Sequence, residues 1–307
     1  MDVAGDPISG DCWLRQSLSK VRQALLNRGY RICCETLRRL LRQHNIRPKS
    51  NVKHLSPKLH PERDSQFQFI QSQRATFRTQ AQPIISVDTK KKELIGLFRN
   101  RGQVWCKKAT EVYMHDFPSD ASGKAVPYGI YDTQHNDGHV YVGQSSDTPQ
   151  FAVDAIVKWW KTIGSIRYPD ATQLLILADG GGSNSSRSRC WKQQLQIQLA
   201  DDFDICVTVC HYPTGASKWN PIEHRLFSQI SRTWAGVSLM SFDHVLQAIR
   251  QTKTQSGLCV GATLVRKQYD TGVKVTDQEM KELTFERHET CPQWNYTITP
   301  RKMECNL

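Results

Sequence analysis

The chain has 307 residues, 38% of them hydrophobic and eight of them tryptophan, which excludes a disordered chain and allows more than one core. Its longest apolar runs, such as LLILA at 174–178, are too short to cross a bilayer, and the opening MDVAGDPISGD lacks the basic and apolar stretches of a secretion signal. The net charge is +12; twelve Lys or Arg against one acid, Glu35, put +11 of it between Trp13 and Lys58, the footprint of a polyanion-binding module, nucleic acid above all.

Within that basic stretch Leu14, Leu18, Val21 and Leu25 recur at helical spacing, and Gly29 stands where a left-handed cap would end the helix. A second helix is expected from about Cys34 or Glu35, with Leu37, Leu40 and Leu41 inward and Arg38, Arg39 and Arg42 outward. Two helices joined by a Gly-containing turn, the second carrying arginines, are how a helix-turn-helix offers its recognition helix to a DNA groove. The candidate DNA-binding residues are Arg31, Arg38, Arg39, Arg42, Arg47, Lys49 and Lys53. Two helices bury little surface alone, so they are expected either to dock elsewhere on the chain or to lack partner helices upstream.

Residues 45–61 are basic and proline-punctuated, the texture of a linker or extended arm. Phe67, Ile70 and Phe77 then give a modest helical stripe. Beyond Pro83, short apolar runs alternate with amphipathic segments, the pattern of an α/β domain. Strands are predicted at 84–88, 127–132 and 139–143, the last two joined by a hairpin through Asn136-Asp137-Gly138. A helix over 151–164, closed by Gly164, leads to QLLILAD at 173–179, whose LLILA run is wholly apolar and so expected at the centre of a sheet. A helix near 187–200, a strand at 204–210 and a helix starting soon after Pro221 complete the series. Asn220 suits the cap of that last helix, and Ile222, Leu226, Phe227 and Ile230 its buried face. The ten cysteines form no CxxC pair; Cys206 and Cys210 share one face of a strand, as small core residues do.

Three early strands, then helix, strand, helix, strand, helix is the order of an RNase H-like domain, a mixed sheet with flanking helices in which the first and fourth strands are neighbours. Their ends would bring Asp88 and Asp179 together, and the last helix would carry Glu223 across to them. Three such charges repel unless a divalent cation sits between them, and carboxylate oxygens suit Mg²⁺ or Mn²⁺. A pair of ions held this way cuts phosphodiesters. Asp132, which also ends a strand, is a rival for the first position; Gly180, Gly181 and Gly182 permit close phosphate approach or simply a tight turn. Lys90, Lys91 and Lys92 after Asp88 and Lys218 before Glu223 are either phosphate contacts or solvated surface lysines.

The segments SVDTKKKELIG, HDFP, PYGIYD, FAVDAIVKWW, ADGGGSN, SKWNPIEHRLFSQIS and WNYTI resemble insertion-sequence transposases of the ISAzo-type family, in the DDE superfamily, over about residues 13–298. The resemblance implies an RNase H-like catalytic domain in which Asp88, Asp179 and Glu223 are both catalytic and metal-binding, with double-stranded DNA, transposon ends and target, as partner. The expected organisation is a DNA-binding region at 1–60, a linker helix at 61–82, the catalytic domain at 83–250 and a C-terminal extension at 251–307. The expected reaction is cutting of transposon ends and transfer of the 3′-hydroxyl to target DNA with two Mg²⁺ or Mn²⁺ ions, by a homo-oligomer on DNA in the cytoplasm, at the nucleoid. The family carries more helical sequence ahead of its helix-turn-helix, so a shortened N-terminus is expected, and Cys33 and Cys34 stand where it has a Ser or Thr cap. The alternatives are a catalytically silent DNA-binding remnant and a nuclease that cuts without strand transfer.

Overall fold

The computed structural model describes residues 3–5, 12–14, 16–48, 60–213, 215–216 and 219–301, and the chain divides into two units, Met1–Pro57 and Lys58–Leu307. In the first unit, β1 (Val3–Gly5) and β2 (Cys12–Leu14) pair antiparallel, so Leu14 belongs to a strand rather than to the first helical stripe. The Ser17 hydroxyl caps α1 (Leu18–Leu26) by accepting from the Lys20 N–H at 3.3 Å. Gly29, at φ 88°, ends it as expected: its N–H and that of Tyr30 turn back to the carbonyls of Leu26 and Leu25.

The second helix, α2 (Cys34–Gln43), is capped by the Cys33 thiol, which accepts from the Thr36 N–H at 3.4 Å. Sulfur here does the work that a hydroxyl does at most helix starts. Each of these two short helices buries one residue, Val21 and Leu37; Leu40, expected inward, is exposed and Leu41 is half-buried. Arg31, Arg38, Arg39, Arg42 and Arg47 are all exposed, with Arg38 paired to Glu35 one turn back. Lys49 and Lys53 lie outside the described residues.

Among the described residues, the second unit holds a sheet of nine strands. In chain order they are β3 (Ile84–Thr89), β4 (Glu93–Ile95), β5 (Gly123–Asp132), β6 (Asp137–Gly143), β7 (Gln173–Ala178), β8 (Cys206–His211), β9 (Cys259–Val265), β10 (Phe285–Arg287) and β11 (Asn295–Ile298). Across the sheet they run β10, β11, β8, β7, β3, β5, β6, β9, with β4 beside the start of β5. β3, β7 and β8 are parallel, and β5 runs against β3. This is the mixed RNase H-like sheet that the element order predicts, with first and fourth strands adjacent. Strand β5 begins four residues earlier than expected and runs through Pro127. The ring is tolerated because Pro127 lies just past the β3 ladder, where its carbonyl still accepts from the Lys90 N–H at 2.9 Å. Residues of 251–307 supply three strands, β9 along β6 and β10–β11 along β8.

Both faces of the sheet are covered. On one, α4 (Pro149–Trp159) and α5 (Arg189–Leu195) pack on Ile85, Val87, Tyr128, Ile130 and Ile176. Helix α4 does not stop at Gly164: it continues through a π turn, Trp160–Gly164, to Arg167. Gly164 is needed for space, since a Cβ there would stand 2.5 Å from the Trp160 ring. On the other face, α3 (Arg63–Thr79) sets Ile70 and Phe77 against Ile84, Leu175, Leu177 and Cys210. Beside α3, a helix over 221–233 and α7 (Phe242–Arg250) cover Tyr131, Val140 and Val142. The 221–233 helix opens with a π turn, Glu223–Phe227, and ends as α6 (Ser228–Thr233). Cys210 is a core residue as expected, while Cys206 is only half-buried.

Candidate active site

Strand alternation decides where the carboxylates go. In β3 the side chains of Ile84, Ser86 and Asp88 share one face, and in β7 those of Leu175 and Leu177 share it too. The parallel register runs from Ile84↔Leu175 to Val87↔Ala178, and one step further on places Asp88 beside Asp179. Neighbouring strands lie about 4.8 Å apart, so the two acids leave adjacent strand ends on the same face. That is the face covered by the 221–233 helix.

The helix is held close by hydrogen bonds to the two residues just before Asp88. The Ser86 hydroxyl donates to the Asn220 side-chain oxygen and accepts from the Ile222 N–H at 3.2 Å. The Asn220 side chain also reaches the Val87 carbonyl at 3.5 Å. The orphan N–H at the helix start is therefore met by a hydroxyl from β3, and Asn220 serves as a clamp to the strand. Glycine makes the approach possible. Gly129 lies opposite Asp88 on β5, and a Cβ there would fall 2.5 Å from Phe227 and 2.9 Å from Ile222. Gly138 on β6 makes the same room for Leu226. Ile222, Leu226, Phe227 and Ile230 are buried as predicted, and Glu223, at the first residue of the π turn, is left half-buried at the edge of that stripe.

Electrostatics couples all three acids. Burial, and next the charge of Asp179, push the Asp88 carboxyl up to about 8, with Glu223 and Asp147 adding to the effect. Burial and then Asp179 also raise Glu223, opposed by His224 and Lys90. One oxygen of each aspartate is tied locally: Asp88 accepts from the Thr89 N–H at 2.7 Å and Asp179 from the Gly181 N–H at 2.6 Å. Asp88, Asp147 and Asp179 line one cleft together with Lys91, Lys92 and Lys124. Glu223 lines the adjoining cleft with Arg99 and Arg101, and Lys90 and Lys91 border both. Among the described residues no three His, Cys, Asp or Glu side chains stand close enough to form a ligand group for one ion. The donors still suit a hard divalent cation: they are carboxylate oxygens whose crowding makes negative charge costly until a cation offsets it.

The remaining sequence candidates divide. Asp132 sits at the opposite end of the sheet, paired across from Ile85 near the start of β3. There it is fully buried and holds Arg167 at 3.0 Å and the Tyr168 hydroxyl at 2.9 Å, a structural role. Lys90 is buried against Glu93 at 2.9 Å and over the Trp234 ring, so of the three lysines after Asp88 it is the one turned inward. Lys91 and Lys92 are exposed, Lys92 facing Asp147 at 3.4 Å. Lys218 lies outside the described residues. Of the three glycines after Asp179, Gly182 takes a left-handed φ of 62° and a Cβ there would meet nothing, which fits a tight turn.

Two features carried no recognisable sequence signal. Asp147, in GQSSDTP, accepts from the Thr89 hydroxyl at 3.0 Å and so stands beside Asp88. His211, at the end of β8, is fully buried, and burial depresses its pKa to about 4, leaving a neutral ring. Its Nδ1 donates to the Asp179 carbonyl at 3.0 Å. Its Nε2 accepts from the Tyr296 hydroxyl at 3.3 Å, which in turn accepts from the Trp191 indole at 2.9 Å. This closed relay, Trp191 to Tyr296 to His211 to Asp179, fixes the backbone that aims Asp179. The turn beyond it is held from below by Tyr128, whose hydroxyl donates to Asn184 at 2.8 Å.

A family model described as the Rhodopirellula transposase DDE domain matches residues 1–300. No curated protein matches the chain. Among solved structures, the Mos1 transposase paired-end complex with left transposon end is similar at 14% identity and a TM-score of 0.44, over 79% of this chain and 72% of that one. A pre-cleavage Mos1 transpososome is similar at 11% identity and a TM-score of 0.45, over 79% and 72%. The Mos1 mariner paired-end complex with Mn gives 14% identity and a TM-score of 0.44, over the same shares. No helix among the described residues is long and apolar enough to cross a membrane.

Proposed function

Since the chain belongs to the transposase family of the Rhodopirellula DDE domain, we propose that it cuts transposon-end DNA and transfers the freed 3′-hydroxyl to target DNA, using Asp88, Asp179 and Glu223 as its metal-binding triad. The observation that carries this reading is the register of β3 and β7, which sets Asp88 beside Asp179 beneath the helix bearing Glu223. Two Mg²⁺ or Mn²⁺ ions, when bound, would supply Lewis acidity to the attacking and leaving oxygens.

The protein's own groups do the rest. The untied oxygens of Asp88 and Asp179 and the carboxylate of Glu223 are the anchoring donors. Lys91, Lys92 and Lys124, which line the cleft of Asp88 and Asp179, and Arg99 and Arg101, which line the adjoining cleft of Glu223, would bind the phosphates of the DNA. The reaction has two phosphoryl transfers. Water first replaces the 3′ oxygen at the transposon end, leaving a free 3′-hydroxyl. That hydroxyl then replaces a 3′ oxygen in the target strand, so the number of phosphodiester bonds is conserved in the second step. Two ends must be held at once, which calls for at least a dimer. Arg31, Arg38, Arg39, Arg42 and Arg47 of the basic N-terminal unit would grip the end sequence, with Lys49 and Lys53 adding to its positive charge.

The test is a cleavage and joining assay on DNA bearing the terminal repeats that flank the gene, with and without Mg²⁺. Asp88→Asn, Asp179→Asn and Glu223→Gln should each lose cleavage more than a hundredfold while retaining DNA binding. Cleavage without joining would leave a nuclease. DNA binding indifferent to all three substitutions, with no cleavage by the parent protein, would leave a binding remnant.

A further inference from the structure

The loop between β4 and β5 presents a side chain that the reaction above does not use. Trp105 is fully exposed, an unusual state for the most costly apolar side chain to leave in water. It is flanked by Arg99, Arg101, Lys107 and Lys108, with no acid from Phe98 to Thr110. The base of the loop is anchored. The Gly236 N–H donates to the Arg101 carbonyl at 3.1 Å, Asn100 to the Val237 carbonyl at 2.7 Å, and Ser238 to the Phe98 carbonyl at 2.9 Å. Gly102 is pressed so close to Ala235 that a Cβ would lie 2.7 Å from it. Trp105 thus projects from a fixed base, and that base lies at the active-site mouth, since Arg99 and Arg101 line the cleft that contains Glu223.

We propose that Trp105 is a stacking platform for an unpaired nucleotide, gripped by the loop's four cations as the strand leaves the reaction centre. The inference rests on the DNA reading above and adds the class of ligand: a base out of its helix, read by its π-face and not by its sequence. Charge selects this occupant. An indole amid Arg99, Arg101, Lys107 and Lys108, of which only Lys108 has an acid of the loop beside it, Glu111 at 3.5 Å, matches the alternating phosphates and bases of a single strand, whose binding sites combine a basic track with stacked aromatics. Val104 and Met114, exposed on the same loop, make a second copy of the chain the competing occupant.

The test uses the full chain in EDTA, so that no strand is cut, and titrates a single strand and a fully paired duplex of equal length at one salt concentration. Trp105→Ala should weaken single-strand binding about tenfold, within the range that one lost base–aromatic stack produces, and leave duplex binding within about twofold. Trp105→Phe should restore most of the loss. Equal binding by the parent and Trp105→Ala proteins would overturn the proposal, as would an equal loss on both DNAs. So would a fall in oligomer mass by light scattering with DNA binding intact, which would assign the loop to a second copy. These results leave the functional reading standing; failure of the parent protein to bind either DNA would overturn both.

Discussion

The crowding of three carboxylates makes cation binding a proton-coupled event, and its pH dependence can be worked out from Asp88. With a pKa of about 8, its carboxyl is ionised in roughly one molecule in ten at pH 7 and one in a hundred at pH 6. A cation that requires the ionised form must expel that proton, at about 1.4 kcal/mol for each pH unit below 8. The expected apparent affinity for Mn²⁺ or Mg²⁺ on the DNA-free protein rises about tenfold from pH 6 to pH 7, about fivefold from 7 to 8, and less than about twofold above that. Glu223 is shifted in the same direction, by burial and then Asp179. The metal-free protein should show the opposite trend in stability. A folded-state pKa above the unfolded one means that ionisation opposes folding, so Asp88's contribution is full in acid and lost as pH rises toward 8. Calorimetric titration in buffers of different ionisation enthalpy reads the released proton directly. An affinity that is flat from pH 6 to pH 8, with no proton released, would refute the coupling.

Gly129→Ala should act at a distance of one strand: its Cβ would meet Phe227 at 2.5 Å, costing about 1–3 kcal/mol in a thermal melt and displacing the Glu223 helix, so cleavage should fall more than stability does. His211→Phe removes the His211 donor to the Asp179 carbonyl and the acceptor of the Tyr296 hydroxyl proton, at about 1–3 kcal/mol each; cation affinity should fall with it, whereas Cys206→Ser on the same strand should leave that affinity unchanged. Joint replacement of Arg38, Arg39 and Arg42 by Gln should flatten the dependence of log Kd on log salt by about 0.9 per lost phosphate contact, measured by fluorescence anisotropy on duplex DNA.

What the sequence made legible was the part written in local pattern. The LLILA run at 174–178 declares a strand buried on both faces because it has no polar residue to face water. The hairpin is legible although its turn is Thr133–Asn136, with Asn136 at a left-handed φ of 52°, and Asp137 and Gly138 already pair in β6. The order of these elements then places the acids, since parallel neighbours in register end together. Other features depend on partners far along the chain. CVGATLV at 259–265 is an edge strand with two small residues and weak alternation, so its place beside β6 follows from pairing, not propensity. Neither the π turn at Glu223 nor the thiol cap at Cys33 carries a composition signal, and Gly164 looks like a helix stop when it is a packing space. His211 gives no hint of its role because Tyr296 lies 85 residues away, and Asp147 becomes a neighbour of Asp88 only through the Thr89 hydroxyl.

The most direct measurement is the anomalous scattering of Mn²⁺ in crystals of the full chain bound to DNA with a non-cleavable terminal phosphodiester. The expected map has manganese peaks bounded by the carboxylates of Asp88, Asp179 and Glu223. Peaks elsewhere, or ordered Mn²⁺ that Glu223 does not touch, would contradict the assignment.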